Sequence, residues 1–220
     1  IRTNNVIVAT GGFSANSEMV CQYQPQLKGF VTTNHKGATG DGIKLLTDIG
    51  AGTVDMKEIQ IHPTVEQTTS YLISESIRGG GAILVSQAGN RFFNELETRD
   101  KVSASIIALP EHYAYIVFDE NVHEKNKAVD EYLRANLVVQ ANTPEELAKQ
   151  LKIDPATFAK TLEKYNGFVE KQHDDDFGRT TGMRSPINKA PFYAIRIAPG
   201  VHHTMGGVTI NTSTQVLDKD

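Results

Sequence analysis

The chain has a short apolar run near its start, Val6–Ala9, which ends in the turn Thr10–Gly12. An uninterrupted apolar run of this length indicates a strand buried on both faces, which is typical of a parallel sheet. A short helix is predicted directly after the turn, over residues 16–23. A strand, a glycine turn and a helix in this order predict an α/β unit.

A second glycine-rich turn, Gly37–Gly42, precedes a helical pattern that runs to Ile49. One interpretation is a tight turn in which Asp41 is the helix N-cap. The other is that bare backbone amides in both glycine turns contact the phosphate or ring of a cofactor. Neither turn is a P-loop, because no Lys-Ser/Thr pair follows the glycines. The residues alone leave both interpretations open.

The order of predicted strands and helices changes between about Glu58 and Ala190. Strands are predicted at Ala82–Val85 and Tyr113–Phe118, and helices are predicted after the N-caps Thr143 and Asp154. The second of these helices repeats apolar residues every three or four positions, at Phe158, Leu162, Tyr165 and Val169. The sequence therefore predicts α/β ends around an α+β insert.

The segments that follow this helix are predicted to be a loop and two strands. The polar stretch His173–Asp176 is interpreted as a solvated loop, and strands are expected at Tyr193–Ile197 and Val208–Ile210. We find no internal repeat and no low-complexity tract.

Composition excludes several classes of function. The 220 residues carry a net charge of −4, contain no Trp and are only 7% aromatic, which argues against a nucleic-acid partner. No apolar run approaches the roughly 20 residues of a membrane helix, so no transmembrane segment is predicted. The single cysteine, Cys21, rules out an internal disulfide. His62, His202 and His203 lack the spacing of a ligand set, so no metal site is predicted.

Charged residues are concentrated between Ser74 and Asp100. Glu75 and Arg78 are three residues apart, which places them on one face if the segment is helical. Further acidic and basic residues follow from Arg91 onward, among aromatic neighbours. Composition alone favours a surface ion-pair network as the explanation.

Six segments taken together resemble a known family. In this sequence they are ATGGF at Ala9–Phe13, TTNHKGATGDG at Thr32–Gly42, IQIHPT at Ile59–Thr64, ESIRGGGAILV at Glu75–Val85, GNRFFNELETRDKVS at Gly89–Ser103 and PGVHHTMGGV at Pro199–Val208. The chain is similar to the flavoprotein of soluble fumarate reductases of the flavocytochrome c type, within the succinate dehydrogenase/fumarate reductase superfamily. The similarity covers almost the whole length, and the last three segments are its most specific part.

The resemblance implies α/β plus α+β architecture: a partial FAD-binding domain of Rossmann type, interrupted by a capping domain, with substrate held between them. Residues 1–57 and 194–220 would belong to the FAD-binding domain, and residues 58–193 would form the cap. The family's opening GxGxxG fingerprint, a closing FAD-contacting Glu and a second substrate-binding Arg are missing. The chain therefore resembles an internal fragment and is not expected to hold FAD tightly or turn over by itself.

The resemblance also assigns roles to residues of this sequence. Arg99 matches the family's proton donor, and Glu75 and Arg78 match its proton relay. The positions that match substrate-binding groups are His62, Ser74, Glu75 and His202. The positions that match the surroundings of FAD are Ala9, Thr10, Gly11, Asp41 and His203.

The activity implied is FAD-dependent reduction of fumarate to succinate, with hydride from reduced flavin and a proton from Arg99. The family usually has Thr at the position of Ser74 and often Met at the position of Leu72, so a reductase of urocanate or another enoate is an alternative. A third possibility is a non-catalytic cap module. The electron donor is expected to be a haem domain, a quinol-linked cytochrome or NADH. Haem c would lie in an upstream domain. A flavocytochrome-type parent would favour the bacterial periplasm, and any other parent the cytoplasm.

Overall fold

The structure is a computed structural model that describes residues 2–219. The chain divides into two compact units. One contains both ends of the chain, up to Ile61 and again from Gly200, and the other is His62–Pro199. The strands β2 (Ile59–Val65) and β6 (Phe192–Thr204) carry the chain from one unit into the other.

The unit formed by the chain ends has short elements and a small core. It contains helices α1 (Ser17–Tyr23) and α2 (Asp41–Thr47), a 3₁₀ turn at Pro25–Leu27, and the antiparallel pair β1 (Thr53–Val54) and β7 (Gly207–Val208). The predicted first helix is confirmed, and Asn16 caps it by accepting the N–H of Met19 at 3.0 Å. The core consists of Phe13, Val20, Leu27, Ile43, Met56, Ile59 and Val201.

The unit His62–Pro199 is built on a mixed set of strands and helices. The sheet has the order β2-β6-β4-β3, where β3 is Ile83–Val85 and β4 is Ala114–Asp119, and β5 (Val139–Ala141) also pairs with β6. The helices are α3 (Glu75–Gly80), α4 (Arg99–Ile107), α5 (Glu120–His123), α6 (Ala128–Arg134), α7 (Pro144–Gln150) and α8 (Pro155–Lys171). Strand β4 pairs antiparallel with both β3 and β6.

Both faces of this sheet are covered, and this explains the continuous apolar run in β4. Tyr115 and Val117 join one core together with residues of α7 and α8. Ala114, Ile116 and Phe118 join a second core with residues of α3, α4 and α6. A strand that is buried on both sides needs apolar residues at every position, whether its neighbours are parallel or antiparallel.

The longest helix, α8, follows its predicted pattern. Asp154 caps its first turn by accepting the N–H of Thr157 at 2.8 Å, and Pro155 is the first helical residue. All four residues of the predicted apolar face are buried: Phe158, Leu162, Tyr165 and Val169. The helix ends at Lys171, followed by Gln172 in the left-handed conformation.

Two local predictions near the start of the chain are wrong. Val6–Ala9 forms no strand and is exposed, with Ile7 at 92%, because no other segment among residues 2–219 pairs with it. Asp41 is the first residue of α2 and not its N-cap. Gly40 occupies the cap with φ of 81°, and a Cβ there would lie 2.8 Å from the sulfur of Met19, so only glycine fits.

The predicted loop at His173–Asp176 is present and three of its four residues are exposed, but Asp174 is an exception. Asp174 is 2% exposed and accepts two hydrogen bonds from Arg91, at 3.3 and 2.9 Å. The expected surface ion-pair network around Arg91 and Glu95 is therefore a buried one. A buried carboxylate needs such a cationic partner, and the partner lies 83 residues away in sequence, beyond the reach of local patterns.

No helix within residues 2–219 is long and apolar enough to cross a membrane.

The cap of α8 provides a test of the fold. Replacing Asp154 with Ala leaves the N–H of Thr157 without its acceptor, so we expect the free energy of unfolding to fall by about 1 kcal/mol. Urea denaturation of the variant measures this loss. Glu163→Ala, at an exposed position of the same helix, is the control and should change the unfolding free energy by less than about 0.5 kcal/mol. Equal effects of the two variants would contradict the capping role.

Candidate active site

Three of the predicted site residues meet at one carboxylate oxygen in the unit His62–Pro199. Nε2 of His62, on β2, lies 3.0 Å from Oε1 of Glu75, the first residue of α3. Nε of Arg99, the first residue of α4, donates to the same oxygen at 2.8 Å, and its Nη2 also contacts it. One strand and two helix starts thus place an imidazole, a carboxylate and a guanidinium within hydrogen-bonding distance.

Local sequence explains why these side chains are held there. Pro63 keeps His62 in extended backbone, and Nδ1 of His62 receives the N–H of Thr64 at 3.3 Å. Thr64 in turn bonds to the backbone of Ile73 through its hydroxyl and its carbonyl, at 2.7 and 2.9 Å. These bonds bring the end of β2 next to the start of α3, where Glu75 begins the helix.

The surroundings of this cluster set its charge at neutral pH. Burial lowers the pKa of His62 to about 4, against the opposing effect of Glu75, so the imidazole is neutral. Burial would raise the pKa of Glu75, but its backbone N–H, His62 and Arg99 outweigh burial and lower the pKa to about 2. With Glu75 ionised and Arg78 and Arg99 cationic, these four residues carry a net charge of +1.

Arg78 lies one helical turn beyond Glu75 and is 3% exposed. Its Nη1 donates to the carbonyl oxygen of Glu95 at 2.6 Å. Its Nε is buried and has no hydrogen-bond partner within residues 2–219. Burial lowers the pKa of Arg78, while the carboxylates of Glu75 and Glu95 oppose that shift. Arg78 therefore keeps one unused buried donor beside the Glu75–Arg99 pair.

Ser74, the N-cap of α3, belongs to a chain of polar contacts that sequence reasoning missed. Its hydroxyl oxygen accepts the N–H and the hydroxyl of Ser76, at 3.2 and 2.9 Å. The hydroxyl of Ser76 accepts from Nδ2 of Asn126 at 2.8 Å, and the N–H of Ser74 donates to the hydroxyl of Tyr132 at 3.0 Å. With both acceptor positions filled, the hydroxyl hydrogen of Ser74 is available to donate to an anion.

The unit formed by the chain ends brings the two glycine-rich turns together. The N–H of Gly40 donates to the carbonyl oxygen of Gly12 at 3.1 Å. A Cβ at Gly42 would lie 2.1 Å from the hydroxyl oxygen of Thr10, so the second turn closely approaches the side chain of Thr10 in the first turn. The predicted cofactor-contacting residues Ala9, Thr10, Gly11 and Asp41 are all exposed in this region.

The residues present fit the edge of a bound FAD. At Gly11, with φ of 73°, no atom lies within 4 Å of where a Cβ would be, so bare backbone faces open space. Backbone groups of this kind can approach a flavin or a phosphate closely. The exposure of Ala9, Thr10 and Gly11 is compatible with the FAD contacts predicted for them.

The two adjacent histidines of β6 have different surroundings. His202 is half-buried, and its Nδ1 lies 2.7 Å from the hydroxyl of Thr33. Nδ2 of Asn34 donates to the carbonyl oxygen of His202 at 2.5 Å, whereas His203 is exposed. Thr33 and Asn34 were not predicted as site residues, although both lie in the TTNHKGATGDG segment. Among the described residues 2–219, no group of three or more metal-ligating side chains is assembled.

These observations define two sets of groups: an arginine-rich cluster suited to an anion, and a glycine-lined surface suited to a flavin nucleotide. The model of the FAD binding domain family matches residues 1–220, so the chain belongs to that family. The α/β plus α+β fold expected from the sequence and the FAD cofactor expected from the family resemblance are confirmed.

Individual relatives agree with this assignment. The chain is 73% identical over 220 residues to the NADH:fumarate oxidoreductase of Klebsiella pneumoniae, and 41% identical over 218 residues to a fumarate reductase (cytochrome) of Shewanella frigidimarina. It superposes on the open conformation of a flavocytochrome c3 fumarate reductase with a TM-score of 0.84 at 44% identity, over 97% of the chain. The resemblance noted in the sequence is thereby confirmed.

The chain spans only part of each relative. It covers 24% of the Klebsiella pneumoniae protein, 38% of the Shewanella frigidimarina protein and 38% of the flavocytochrome chain. A 3-ketosteroid delta1-dehydrogenase from Sterolibacterium denitrificans shares the fold, with a TM-score of 0.69 at 24% identity over 95% of the chain and 44% of that protein.

Burial of His62 makes the free energy of unfolding depend on pH. Between pH 6.5 and about 4 the unfolded chain protonates this imidazole and the native state does not, so the free energy of unfolding falls as the pH is lowered through that window. We expect His62→Gln to make that fall shallower in urea denaturation at a series of pH values.

His123→Gln is the matched control for this test. Burial would lower the pKa of His123, but its bonds to Asp130 and Glu120 outweigh burial and raise it. Its contribution is fully present below pH 6.5 and is lost as the pH rises above that value, so His123→Gln should change the slope above pH 6.5 only. If His62→Gln leaves the slope between pH 6.5 and 4 unchanged, the buried neutral state of His62 is wrong.

Proposed function

We propose that this chain is the substrate-binding and proton-delivering part of an FAD-dependent fumarate reductase. The observation that carries the proposal is the Glu75 carboxylate shared by Arg99 and His62. The unit His62–Pro199 would act as the capping domain, and the unit formed by the chain ends would contribute to the FAD-binding domain.

Reduction of fumarate adds a hydride to one carbon and a proton to the other. Bound FAD, in its reduced form, supplies the hydride. In this proposal Arg99 delivers the proton from its guanidinium to the substrate carbon. Because an arginine has a pKa above about 12, it can act as an acid only if a proton is returned to it in the same step. Glu75, which contacts Arg99 directly, and Arg78, one turn along α3, would return that proton.

The charges of the cluster favour a dianionic substrate. Arg78 and Arg99 outweigh the single carboxylate of Glu75, and His62 is neutral at pH 7. The free hydroxyl hydrogen of Ser74 would donate to one substrate carboxylate. The Nε2–H of His62, which faces Glu75 in the structure, is proposed to donate to the other carboxylate once substrate is bound. His202, held by Thr33 and Asn34, is proposed as a further donor, and His203 and Asp41 as residues near FAD.

The names of the relatives favour fumarate over other enoates, and NADH as the source of electrons. The relative at 73% identity is named NADH:fumarate oxidoreductase. A urocanate reductase of Eggerthella lenta and an NADH:acrylate oxidoreductase of Vibrio harveyi are less similar, at 35% and 31% identity. We therefore propose fumarate as substrate and make other enoates an outcome of the tests.

Arg99→Lys in the full-length, FAD-loaded protein tests the proton donor. Lysine loses the planar fork that contacts Glu75, so we expect turnover with fumarate to fall by at least about a thousandfold while the FAD content stays unchanged. Steady-state rates and the flavin absorbance measure the two effects. Arg196→Lys, an exposed arginine outside the cluster, is the control and should leave turnover unchanged. A rate above a tenth of the wild-type value in Arg99→Lys would refute the assignment.

His62→Ala tests recognition of the second carboxylate. The variant lacks one donor, so KM for fumarate should rise more than KM for crotonate, which has a single carboxylate. His123→Ala removes a histidine outside the cluster and should change neither value. Equal losses on both substrates would show that His62 is structural. A wild-type protein that reduces urocanate or acrylate faster than fumarate would assign a different enoate, and one that reduces none would favour a non-catalytic cap.

A further inference from the structure

Four charged side chains form a buried network behind the candidate active site. Arg91, Glu95, Asp174 and Arg179 are between 0 and 9% exposed. Arg91 contacts Glu95 at 2.8 Å and Asp174 at 2.9 Å, and Nη1 of Arg179 contacts Glu95 at 3.1 Å. Two cations and two anions balance in charge, as burial requires. None of the four is among the residues assigned to substrate, flavin or proton transfer above.

Arg179 uses every donor of its guanidinium. Nε donates to the carbonyl of Thr181 at 3.0 Å, and Nη1 donates to Glu95 and to the carbonyl of Ala82, at 3.1 and 2.9 Å. Nη2 donates to the carbonyls of Arg78 and Gly182, at 2.8 and 2.9 Å. The five N–H groups of an arginine thus meet five acceptors, which the three donors of a lysine cannot reproduce.

One of these contacts reaches Arg78, the buried member of the proposed proton relay, and a second reaches Glu95, which also binds Arg78. Nη2 of Arg179 donates to the carbonyl oxygen of Arg78. Nη1 of Arg78 in turn donates to the carbonyl oxygen of Glu95, whose carboxylate pairs with Arg179, at 2.6 Å. Backbone and side chain of Arg78 are therefore fixed from the same network. Glu95 is itself tied to β3 through the N–H of Leu84 at 3.2 Å. Arg78 is left with its Nε as a buried donor without a partner in the described part of the chain.

We propose that Arg179 is a positioning residue for proton transfer: with Glu95 it fixes Arg78 at the end of α3, so that the guanidinium stays in line with Glu75 and Arg99. The inference rests on the proposed function. A mispositioned Arg78 slows the return of the proton to Arg99 and leaves the groups that bind substrate in place, so Arg179 affects turnover and not substrate affinity.

Arg179→Lys in the full-length, FAD-loaded protein is the test, with Asp119→Asn as the matched control. Asp119 is equally buried in the same unit and accepts the N–H groups of Asn188 and Lys189, but it has no contact with Arg78, Glu95 or Arg179. Thermal unfolding measures how much each variant destabilises the protein. We expect kcat to fall by about tenfold or more in Arg179→Lys alone, with KM for fumarate unchanged and a larger solvent deuterium isotope effect on kcat.

A double variant adds a readout that loss of stability would not move. If Arg179 acts through Arg78, then Arg78→Lys/Arg179→Lys should be no slower than Arg78→Lys, because effects that act through one group are not additive. Should Arg179→Lys fail to fold, Glu95→Asp keeps the charge balance and the backbone acceptor of Arg78, weakens the contact with Arg179 by shortening the side chain, and should give a smaller fall in kcat with the same isotope signature.

The outcomes separate this inference from the proposed function. A wild-type kcat in Arg179→Lys with a slow Arg78→Lys overturns the positioning role alone. A fall in kcat that matches that of Asp119→Asn at equal loss of thermal stability also overturns it. A wild-type kcat in Arg78→Lys removes Arg78 from the relay, and with it the proposed proton path.

Discussion

The buried pairing of Arg91, Glu95, Asp174 and Arg179 is the constraint on which the unit His62–Pro199 depends. An unpaired charge in a protein interior costs several kcal/mol, so none of the four can be buried unless the others are also in place. The pairing therefore fixes the segment after α8 against the turn that follows β3. The ring of Tyr165, on α8, lies 4.9 and 5.6 Å from the two guanidinium carbons and closes the network with a cation–π contact on each. Arg179 holds helix α3 on this network through the carbonyl oxygen of Arg78, and two of the proposed functional residues, Glu75 and Arg78, lie on α3.

Burial has opposite consequences for the charged groups at the two sides of α3. On one side of α3, the two cations and two anions of the buried network balance, so the network has no net charge. At the candidate active site on the other side, the charges do not balance, because Glu75 is the single carboxylate beside Arg78 and Arg99 and burial keeps His62 neutral. The excess positive charge is what a dicarboxylate would neutralise. In the proposed function, substrate binding follows the same electrostatic rule as stability. Charges balance within the buried network, and at the candidate active site they would balance once a dianion is bound.

The sequence predicts the parts of this structure that depend on neighbours in the chain. The cap at Asp154 and the apolar face of α8 are local patterns, and both are present. The spacing of Glu75 and Arg78 suits one helix face, and their segment is helical. Local sequence patterns do not predict contacts between segments that are far apart in the chain. Asp174 is polar in sequence, and its burial depends on its pairing with Arg91, a residue 83 positions away. Arg179 has no local signal, because every acceptor it uses beyond its own loop is about 80 to 100 residues away.

The strand error at Val6–Ala9 has the same physical origin. Apolar content specifies that a segment tends to be buried, but a strand exists only where another segment supplies its hydrogen bonds, and none among residues 2–219 does so. The candidate site residues have a different basis of prediction. His62, Glu75, Arg78 and Arg99 came from the family resemblance, and spacing alone linked only Glu75 to Arg78. Their convergence on one oxygen is a property of the three-dimensional arrangement.

The fold by itself does not decide what this chain acts on. The similarity to the steroid dehydrogenase, at 24% identity, shows that the architecture alone is compatible with more than one substrate class. What narrows the choice is the charge on the residues around α3. A neutral substrate would leave the excess cation between Arg78 and Arg99 uncompensated in a partly desolvated site, whereas a dicarboxylate would pair with it. The proposal of fumarate as substrate therefore depends on four side chains of the unit His62–Pro199, and one of them, Arg78, is fixed by the buried network behind it.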